Sequence, residues 1–229
     1  QVLDLLIEQP MEGFDSVHLL GNHEQAMLDF LAHPESAAAW LNFGGQVTLL
    51  SYGVGLGRLQ MQREVGALRD ELEEKLPVSH LEFIASCRLV HAEGNYCFAH
   101  AGIRPGVPVE EQAAEDLLWI REDFTRSRAD HGCIVVHGHS ISEEVERMPN
   151  RIGIDTGAFY TGMLTALVTT IGGVTIELLK RFDLSSFAWP GGVPWYVFVM
   201  AAAVTVTILA SLLTHGDELD PKVELAMEL

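Results

Sequence analysis

The chain has 229 residues, 48% of them hydrophobic, which is enough for one domain with a sizeable core and an appendage. Its formal net charge of −18 and the lack of any Lys/Arg-rich stretch argue against binding to a nucleic-acid backbone. The three cysteines, Cys87, Cys97 and Cys133, form no Cys-x-x-Cys pair, which argues against a disulfide framework or a zinc knuckle and fits a reducing compartment.

The chain opens on a predicted helix that ends at Gln9-Pro10. One face of this helix is apolar and comprises Val2, Leu3, Leu6 and Ile7. The segment does not have the pattern of a signal peptide. Because Gln1 already lies inside the helical pattern, we expect the chain to begin within a domain whose true N-terminus is absent.

A polar motif follows the first predicted strand. The apolar run Val17–Leu20 predicts a strand, Gly21 a tight turn, and Glu24–His33 an amphipathic helix. Asn22 and His23 then lie at the carboxyl end of a strand, where open α/β sheets bind their ligands. An Asn carbonyl is a neutral oxygen ligand, and a His binds a metal or transfers a proton.

The next segment is predicted to form helices joined by turns. Helices are predicted at about 35–41, 61–76 and 79–86, the last one capped by Ser79, with a flexible turn at 42–45. The glycine-rich stretch Tyr52–Gly57 looks like a phosphate-binding loop. It lacks a following Gly-Lys-Ser/Thr and does not lie between a strand and a helix, so we interpret it as a surface connector.

Strands dominate the second half of the chain. A hairpin is predicted around Glu93-Gly94-Asn95, and its second strand leads to His100. After a helix at 110–124, the strand Ile134–Val136 leads to His139. Further strands are predicted at 152–155, 163–169 and 174–179. The predicted fold is therefore α/β, with two packed sheets flanked by helices.

The last segment of the chain changes character. Val193–Leu213 contains no charged residue and, as a helix rising about 1.5 Å per residue, would span about 30 Å, the hydrocarbon thickness of a bilayer. Lys180 and Arg181 precede it and an acidic tail, 214–229, follows it, so the positive-inside rule places the domain on the cytoplasmic side. We therefore predict a linker at 183–192 and one transmembrane helix; a buried core helix or a partner-binding segment is the alternative.

Three neutral donors follow predicted strands: Asn22, His100 and His139. Nitrogen and amide oxygen donors suit a transition metal such as Mn²⁺, Fe or Zn²⁺ better than Ca²⁺. Because neutral ligands leave the charge of the metal largely uncompensated, the site also requires a carboxylate and a second metal. Two metals about 3.5–4 Å apart can share a hydroxide and hold a phosphoryl group for in-line attack.

Two further residues are candidates for the chemistry of such a site. His23, next to Asn22, could protonate a leaving alcohol. Arg121 could bind phosphate oxygens through its forked guanidinium, although an arginine in a salt bridge at a helix end has the same sequence pattern. The role of each residue therefore depends on where the fold places it relative to the three donors.

The other histidines are more simply surface or satisfied core residues, namely His18, His33, His80, His91, His131 and His215. His137 lies two residues before His139 and is predicted to support the site or the core, not to bind metal. Asp155, before Thr156-Gly157, is predicted to form a structural turn near the site.

Several of these motifs resemble those of calcineurin-like metallophosphoesterases. Gly21-Asn22-His23-Glu24, His100-Ala101-Gly102 and Gly138-His139-Ser140 occur in the order of the later motifs of that superfamily. The form Gly-Asn-His-Glu resembles the motif of the phosphoprotein phosphatase family within that superfamily. Leu118–Arg121 and Ile154–Ala158 are similar to segments of the bacterial serine/threonine phosphatases in that family.

The resemblance runs from Gln1 to about Thr169 and implies a role for each candidate residue. The implied ligands of the second metal are Asn22, His100 and His139; the implied catalytic acid is His23, and the implied phosphate ligand is Arg121. The implied cofactors are two divalent metal ions, with manganese favoured over iron or zinc. The implied catalytic domain is residues 1–182.

The sequence also departs from that family. The Gly-Asp-x-His-Gly and Gly-Asp-x-x-Asp-Arg-Gly motifs, which in the family precede Gly-Asn-His-Glu, are missing. In the family, these two motifs supply the ligands of the first metal, the bridging Asp and the carboxylate that orients the catalytic His. This sequence therefore lacks those residues. This chain alone is therefore expected to be inactive. It is either a fragment of an active enzyme or a truncated relative, and the start at Gln1 favours the fragment.

The expected function is hydrolysis of phosphomonoesters, in particular protein phosphoserine or phosphothreonine, by attack of a metal-activated hydroxide. The expected partner is a phosphoprotein or phosphopeptide, with no nucleic acid. The expected location is the cytoplasmic side of the cell membrane, or the cytoplasm if the C-terminal segment is not inserted. Two alternatives stay open: a dinucleoside polyphosphate hydrolase of the same superfamily, whose Gly-Asn-His is usually followed by Asp where this chain has Glu24, and a non-catalytic membrane-tethered binding module.

Overall fold

The structure is a computed structural model that describes residues 2–8, 15–55, 65–168 and 178–183. Its α-helices are, in chain order, α1 (Val2–Glu8), α2 (Asn22–Ala32), α3 (Ala37–Trp40), α4 (Gln46–Ser51), α5 (Val65–Lys75), α6 (Val78–Ser86), α7 (Ala114–Trp119), α8 (Glu122–Thr125) and α9 (Ala158–Thr161). Its strands are β1 (Val90–Glu93), β2 (Tyr96–Ala99), β3 (Ile134–His137), β4 (Glu146–Met148), β5 (Arg151–Gly153), β6 (Met163–Val168) and β7 (Leu178–Asp183). Short 3-10 turns lie at Pro34–Ser36 and Val109–Glu111, and a π-helical turn lies at Leu41–Gly45.

A mixed five-stranded sheet, in the order β1-β2-β3-β5-β4, forms the centre of the described structure. The strands β2, β3 and β5 are parallel neighbours, while β1 and β4 run antiparallel to them at the two edges. The register pairs Ala99 with His137 and His137 with Gly153. The segments that follow β2 and β3 therefore leave the sheet on the same side, which is where open α/β sheets place their sites.

Apolar side chains cover both faces of this sheet. On one face, α7 and α8 pack against a cluster that includes Cys97, Ala99 and Val135. On the other face, the cluster includes Phe98 and Val136. The alternation follows from the two-residue period of a strand, and burial of both faces is the usual state of parallel strands.

The helices before the sheet form a core of their own. Phe30 of α2, Trp40 of α3 and Leu72 of α5 are each at most 2% exposed and pack in one cluster. Leu20 and Leu118 belong to the same cluster, so it joins the start of α2 to α7. This packing holds the polar end of α2 near the carboxyl ends of the strands.

The strand predicted at Val17–Leu20 is shorter than expected. Instead of a ladder, the described residues form a parallel bridge from Leu19 to Arg88. The Leu20 amide donates to the Arg88 carbonyl, and the Arg88 amide donates to the His18 carbonyl, each at 2.8 Å. Helix α2 then begins at Asn22, two residues before the predicted start, because Gly21 is the extended residue that precedes it.

The helix predicted at 110–124 is broken and the prediction of one helix is wrong. The 3-10 turn, α7 and α8 replace it, and the backbone leaves helical geometry at Ile120 (ψ 143°) and Arg121 (φ −131°, ψ −103°). Ile120 and Phe124 pack in the same cluster as Leu117. The apolar pattern therefore continues across the break and does not reveal it.

The turn predicted at 42–45 is present, as a kink between α3 and α4. These residues lie in the π-helical turn, where Phe43 and Gly44 (φ 125°) leave helical geometry. A Cβ on Gly45 would lie 2.6 Å from the ring of Trp40, so the turn packs closely on α3. The turn carries the Phe43 side chain toward the candidate site.

Two smaller differences concern α6 and β4. Helix α6 begins at Val78 after Pro77, so Ser79 lies inside the helix and is not its cap. Strand β4 is absent from the sequence prediction, because Glu146–Met148 has no alternating apolar pattern. It pairs antiparallel with β5 at the edge of the sheet.

The predicted packing of two sheets is shown only in part. Within the described residues, β6 and β7 form an antiparallel pair that is separate from the five-stranded sheet. Leu167 of β6 packs against the cluster around Phe98, and the hydroxyls of Thr156 and Thr165 lie 2.8 Å apart. The described part of the α/β fold is therefore one mixed sheet with helices and a small second pair of strands.

The linker predicted at 183–192 begins inside β7, whose last residue is Asp183. The rest of this linker lies outside the described residues, as do Val193–Leu213, the acidic tail and His215. Among the residues that are described, no helix is both long and apolar enough to span a bilayer. The predicted transmembrane helix thus stays a prediction.

Candidate functional site

Three elements bring the predicted ligands Asn22, His100 and His139 together. Asn22 is the first residue of α2, His100 directly follows β2, and His139 follows β3 after Gly138. The Gly138 amide donates to the His100 carbonyl at 2.9 Å, which ties the two strand ends together. The order of the strands thus places three residues that are far apart in the sequence at one point.

Specific atoms of these side chains meet. Nε2 of His100 lies 2.9 Å from Oδ1 of Asn22 and 3.2 Å from Nδ1 of His139. Asn22 and His100 are 4% and 2% exposed, and His139 is half-buried. The site is therefore a compact cluster of one amide oxygen and two ring nitrogens, largely removed from water.

The backbone of His139 adopts a conformation that is uncommon for a residue with a side chain. Its φ is +62°, in the left-handed region that favours glycine, and such residues concentrate at functional sites. Nη1 of Arg121 donates to the His139 carbonyl at 3.2 Å, and the His139 amide acts to lower the pKa of the Asp155 carboxyl, which burial raises overall. Asp155 accepts from the Gly157 amide at 3.0 Å, so it forms a turn beside the site.

Both ring groups of the cluster are neutral at pH 7. Burial lowers the pKa of His100 well below its ordinary value, and the neighbouring His139, His23 and Arg121 add to this effect. Burial, followed by Arg121 and His23, lowers the pKa of His139 to about 4. Neutral imidazole is the form that binds metals.

The two measured donor–donor distances match the spacing of ligands around one divalent metal ion. In an octahedral site, two adjacent ligands that each lie about 2.1 Å from the ion are about 3.0 Å from each other. The distances from His100 Nε2 to Asn22 Oδ1 and to His139 Nδ1, 2.9 and 3.2 Å, are close to this value. Nδ1 of His100 and Nε2 of His139, which face away from the cluster, are buried and have no hydrogen-bond partner among the described residues. The described part of the chain contains no group of three or more His, Cys, Asp or Glu side chains that could hold a metal. The set therefore suits one ion through neutral ligands and offers no carboxylate for a second.

His23, the candidate proton donor, lies beside this cluster. It is half-buried, burial lowers its pKa, and its charge acts on both His100 and His139. Its Nδ1 is buried without a hydrogen-bond partner among the described residues. His23 therefore follows Asn22 directly in the chain and lies within electrostatic reach of both rings of the cluster.

Arg121, the candidate phosphate ligand, lies at the break between α7 and α8. Its side chain is exposed and reaches the His139 carbonyl. Among the causes that lower the pKa values of His100 and His139 is the positive charge of Arg121. A guanidinium at this position can bind an oxyanion that lies over the three donors.

Two aromatic residues that the sequence reasoning missed border the site. The ring of Phe43 lies edge-to-face on His23, with centroids 5.2 Å apart. Trp119, which is 39% exposed, lies edge-to-face on Phe43 at 5.6 Å and on His139 at 6.1 Å. Trp119 could have been predicted from the sequence, because it lies two residues before the candidate Arg121. Phe43 had no such signal, because only the π-helical turn brings it here.

Glu24 is a further residue that was missed, although it belongs to the Gly21–Glu24 motif. Its Oε2 atom is buried without a hydrogen-bond partner among the described residues, and burial raises the pKa of its carboxyl to about 8. Glu24 and His23 both line a pocket between α1, α2, α4 and α6. Perturbed carboxyls of this kind are frequent in functional sites and also occur in cores.

Two histidines that were not assigned to the site are satisfied core residues. His137 is fully buried; its Nδ1 donates to the Gly138 carbonyl at 3.1 Å, and its Nε2 accepts from Arg151 at 3.1 Å. His80 is 5% exposed and lies between the Tyr52 hydroxyl, at 2.9 Å, and Asp4, at 3.0 Å. Both ring nitrogens of each histidine are used, so neither is available to a metal.

Comparisons with known proteins add a partial likeness of fold. No protein-family model and no curated protein matches the chain. Among solved structures, the chain is similar to one described as "a putative diadenosine tetraphosphatase", with 16% sequence identity over 76% of this chain and 68% of that chain, and a TM-score of 0.43. At these values the similarity has no bearing on activity.

Proposed function

We propose that this domain belongs to a metal-dependent phosphomonoesterase. The observation that carries the proposal is the convergence of Asn22 Oδ1, His100 Nε2 and His139 Nδ1 in contacts of 2.9 and 3.2 Å at the end of the parallel strands. These residues would hold a divalent ion, and the resemblance of residues 21–24 to the phosphoprotein phosphatases supports manganese ahead of iron or zinc. Such an ion supplies a Lewis acid that polarises a phosphoryl oxygen and lowers the pKa of water.

The neighbouring residues would act on the substrate directly. His23 would donate a proton to the leaving oxygen of the phosphoester, because its ring lies beside the donor cluster without binding to it. Arg121 would bind the nonbridging phosphate oxygens through its guanidinium. Phe43 and Trp119 would exclude water from the reacting groups, which strengthens the electrostatic contacts between them.

A second candidate function is a module that binds metal without catalysis. It is favoured by one observation: the described residues offer no carboxylate to the donor cluster, whereas a two-metal site needs one. In the catalytic proposal, further residues of the protein would complete the site. The two candidates differ in turnover and agree in metal binding.

A phosphatase assay tests the proposal. The full gene product is assayed on p-nitrophenyl phosphate with Mn²⁺ and again after chelation, and we expect activity only with metal. His23→Asn should lower kcat by about 10²–10⁴-fold while Mn²⁺ affinity is kept. His91→Asn, on β1, is the matched control and should leave kcat unchanged. Activity that resists chelation would refute the proposal, and Mn²⁺ binding without turnover would favour the non-catalytic module.

For the substrate, we propose protein phosphoserine or phosphothreonine. The proposal is supported by the motif Gly-Asn-His-Glu at residues 21–24, which resembles that of the phosphoprotein phosphatases. The dinucleoside polyphosphate hydrolases usually have Asp at the position of Glu24. Values of kcat/KM on a phosphoserine peptide and on diadenosine tetraphosphate decide between the two. A higher kcat/KM on diadenosine tetraphosphate than on the phosphoserine peptide would refute the proposed substrate and favour the dinucleoside polyphosphate hydrolase.

For the location, we propose that Val193–Leu213 anchors the domain at the cytoplasmic side of the cell membrane. The support is the uncharged length of this segment and the basic residues that precede it. Cell fractionation tests this: the full-length protein should require detergent for extraction. Recovery in the detergent-free supernatant would contradict the anchor.

A further inference from the structure

The side chain of Arg104 connects α7 to α8. Its Nε and Nη2 donate to the two carboxylate oxygens of Asp116 in α7, with 3.2 Å between Nε and Oδ2. Its Nη1 donates to Oδ2 of Asp123 in α8 at 2.6 Å. The planar guanidinium thus forms a fork with one carboxylate and still reaches the second, a geometry that lysine does not provide.

The backbone of Arg104 is held as well. Its amide donates to Oε1 of Gln112 at 2.6 Å, and Nε2 of Gln112 donates to the carbonyls of Arg104 and Val107 at 3.0 and 2.8 Å. Arg104 lies four residues after His100 in the loop that leaves β2. The ion pairs therefore start from a loop that is fixed to the site.

Arg121 lies between the two helices that Arg104 connects. The Arg121 carbonyl accepts from the amides of Phe124 and Thr125 at 3.0 and 2.9 Å, so Arg121 begins the single turn of α8. A helix of one turn has little stability of its own and depends on its tertiary contacts. The orientation of α8 relative to α7 therefore decides where the Arg121 side chain points.

We propose that Arg104 is a positioning residue for Arg121. By bridging Asp116 and Asp123 across the helix break, it holds the guanidinium of Arg121 over the donor cluster, beside the His139 carbonyl. The proposal rests on the proposed function, because the phosphate-binding role of Arg121 is assigned there. Asp116 is 18% exposed, whereas Arg104 is 41% and Asp123 is 71% exposed. The forked contact with Asp116 orients the guanidinium from which the arm to Asp123 extends, and a single exposed ion pair lacks this geometry.

A ligand-free experiment tests the positioning. Amide exchange in α8 and the Nε–Hε resonance of Arg121 are measured by NMR in Arg104→Gln and in Arg104→Lys. The control is Arg126→Gln, which removes an exposed pair, at 3.0 Å, between the residue that follows α8 and Glu122, the first residue of that helix. We expect about three- to tenfold faster exchange at Phe124 and Thr125 and a shifted Arg121 resonance in Arg104→Gln, a smaller effect in Arg104→Lys, and none in the control. Equal behaviour of Arg104→Gln and Arg126→Gln would refute the proposal.

An anion-binding cycle tests whether the effect passes through Arg121. Tungstate affinity is measured by calorimetry in the presence of Mn²⁺ for Arg104→Gln, Arg121→Gln and the double variant. Arg104→Gln should weaken tungstate binding by about three- to tenfold, and the double variant should bind no more weakly than Arg121→Gln. Additive losses would refute action through Arg121. If the wild-type protein binds no tungstate, the proposed phosphate site fails, while the exchange data still decide whether Arg104 positions Arg121.

Discussion

At the scale of single residues, the site depends on which ring nitrogen faces the cluster. His100 turns its Nε2 toward Asn22, whereas His139 presents its Nδ1. The left-handed backbone of His139, with φ +62°, sets the direction in which its ring leaves the chain. Residue type alone therefore did not specify the donor atoms.

Replacing His100 by Ala removes the nitrogen that contacts both other donors. We expect Mn²⁺ affinity to fall by more than the ~10–100-fold that loss of an outer partner of a metal ligand costs. Isothermal titration calorimetry measures this change. His91→Ala, on β1, is the matched control and should bind Mn²⁺ as the wild type does. Unchanged affinity in His100→Ala would mean that Mn²⁺ binds elsewhere.

The buried thiol of Cys97 should be unreactive. Burial and the neighbouring Cys133 raise the pKa of Cys97 to about 12, so the thiol stays protonated at pH 8, where an unfolded chain already forms thiolate. In a Cys87→Ala/Cys133→Ala variant, the reaction with Ellman's reagent should be at least about 100-fold slower natively than in denaturant. Since the folded pKa is raised, this thiol stabilises the fold below about pH 9 and loses that effect as the pH rises toward 12. Comparable native and denatured rates would contradict the burial of Cys97.

At the scale of elements, α8 packs on the backbone of the loop that carries His100. Gly102 has φ +135°, and a Cβ there would lie 2.2 Å from the ring of Phe124, which is fully buried. Gly102→Ala should therefore lower the free energy of unfolding by about 2 kcal/mol or more, through overpacking and backbone strain together. Gly106→Ala, with φ +82° but open space around it, should show only the strain, about 1 kcal/mol. Denaturant titration measures both, and equal losses would argue against the Phe124 contact.

The helical core should depend on α5 more than on the outer surface of α4. Leu72 of α5 is 0% exposed, whereas Leu50 of α4 is 51% exposed. Leu72→Ala should cost about 2–5 kcal/mol of unfolding free energy, because it leaves a cavity, and Leu50→Ala about 0.5 kcal/mol or less. Thermal and urea denaturation of the two variants check this. A small loss for Leu72→Ala would show that α5 packs less tightly than described.

At the scale of the whole molecule, the donor cluster links distant segments. Asn22 and His100 are 78 residues apart in sequence, and His100 and His139 are 39 apart. A ligand that binds all three stabilises the folded state in which they meet. Mn²⁺ at a hundred times its Kd should add about 2.7 kcal/mol to the free energy of unfolding. Differential scanning calorimetry should show a rise in Tm that chelation reverses and that His100→Ala abolishes. A rise that persists in His100→Ala would place the stabilising ion outside this cluster.

The sequence by itself determined the features that depend on near neighbours. The hairpin predicted around Gly94 is present, with β1 and β2 in antiparallel register, and the apolar run before His137 forms β3. The three donors, Asn22, His100 and His139, were found because each follows a predicted strand next to a glycine or another small residue. Turn chemistry and strand alternation act within a few residues, and for that reason the sequence displays them.

Only the tertiary structure decided how these pieces form a site. The break at Arg121 and its contact with His139 do not appear in the apolar pattern, because Ile120 and Phe124 stay buried on both sides of the break. The bridge from Arg104 depends on partners 12 and 19 residues away, and the meeting of Asn22 with His100 depends on the order of the strands. Contacts between distant segments follow from packing of the whole chain, for which local periodicity has no signal.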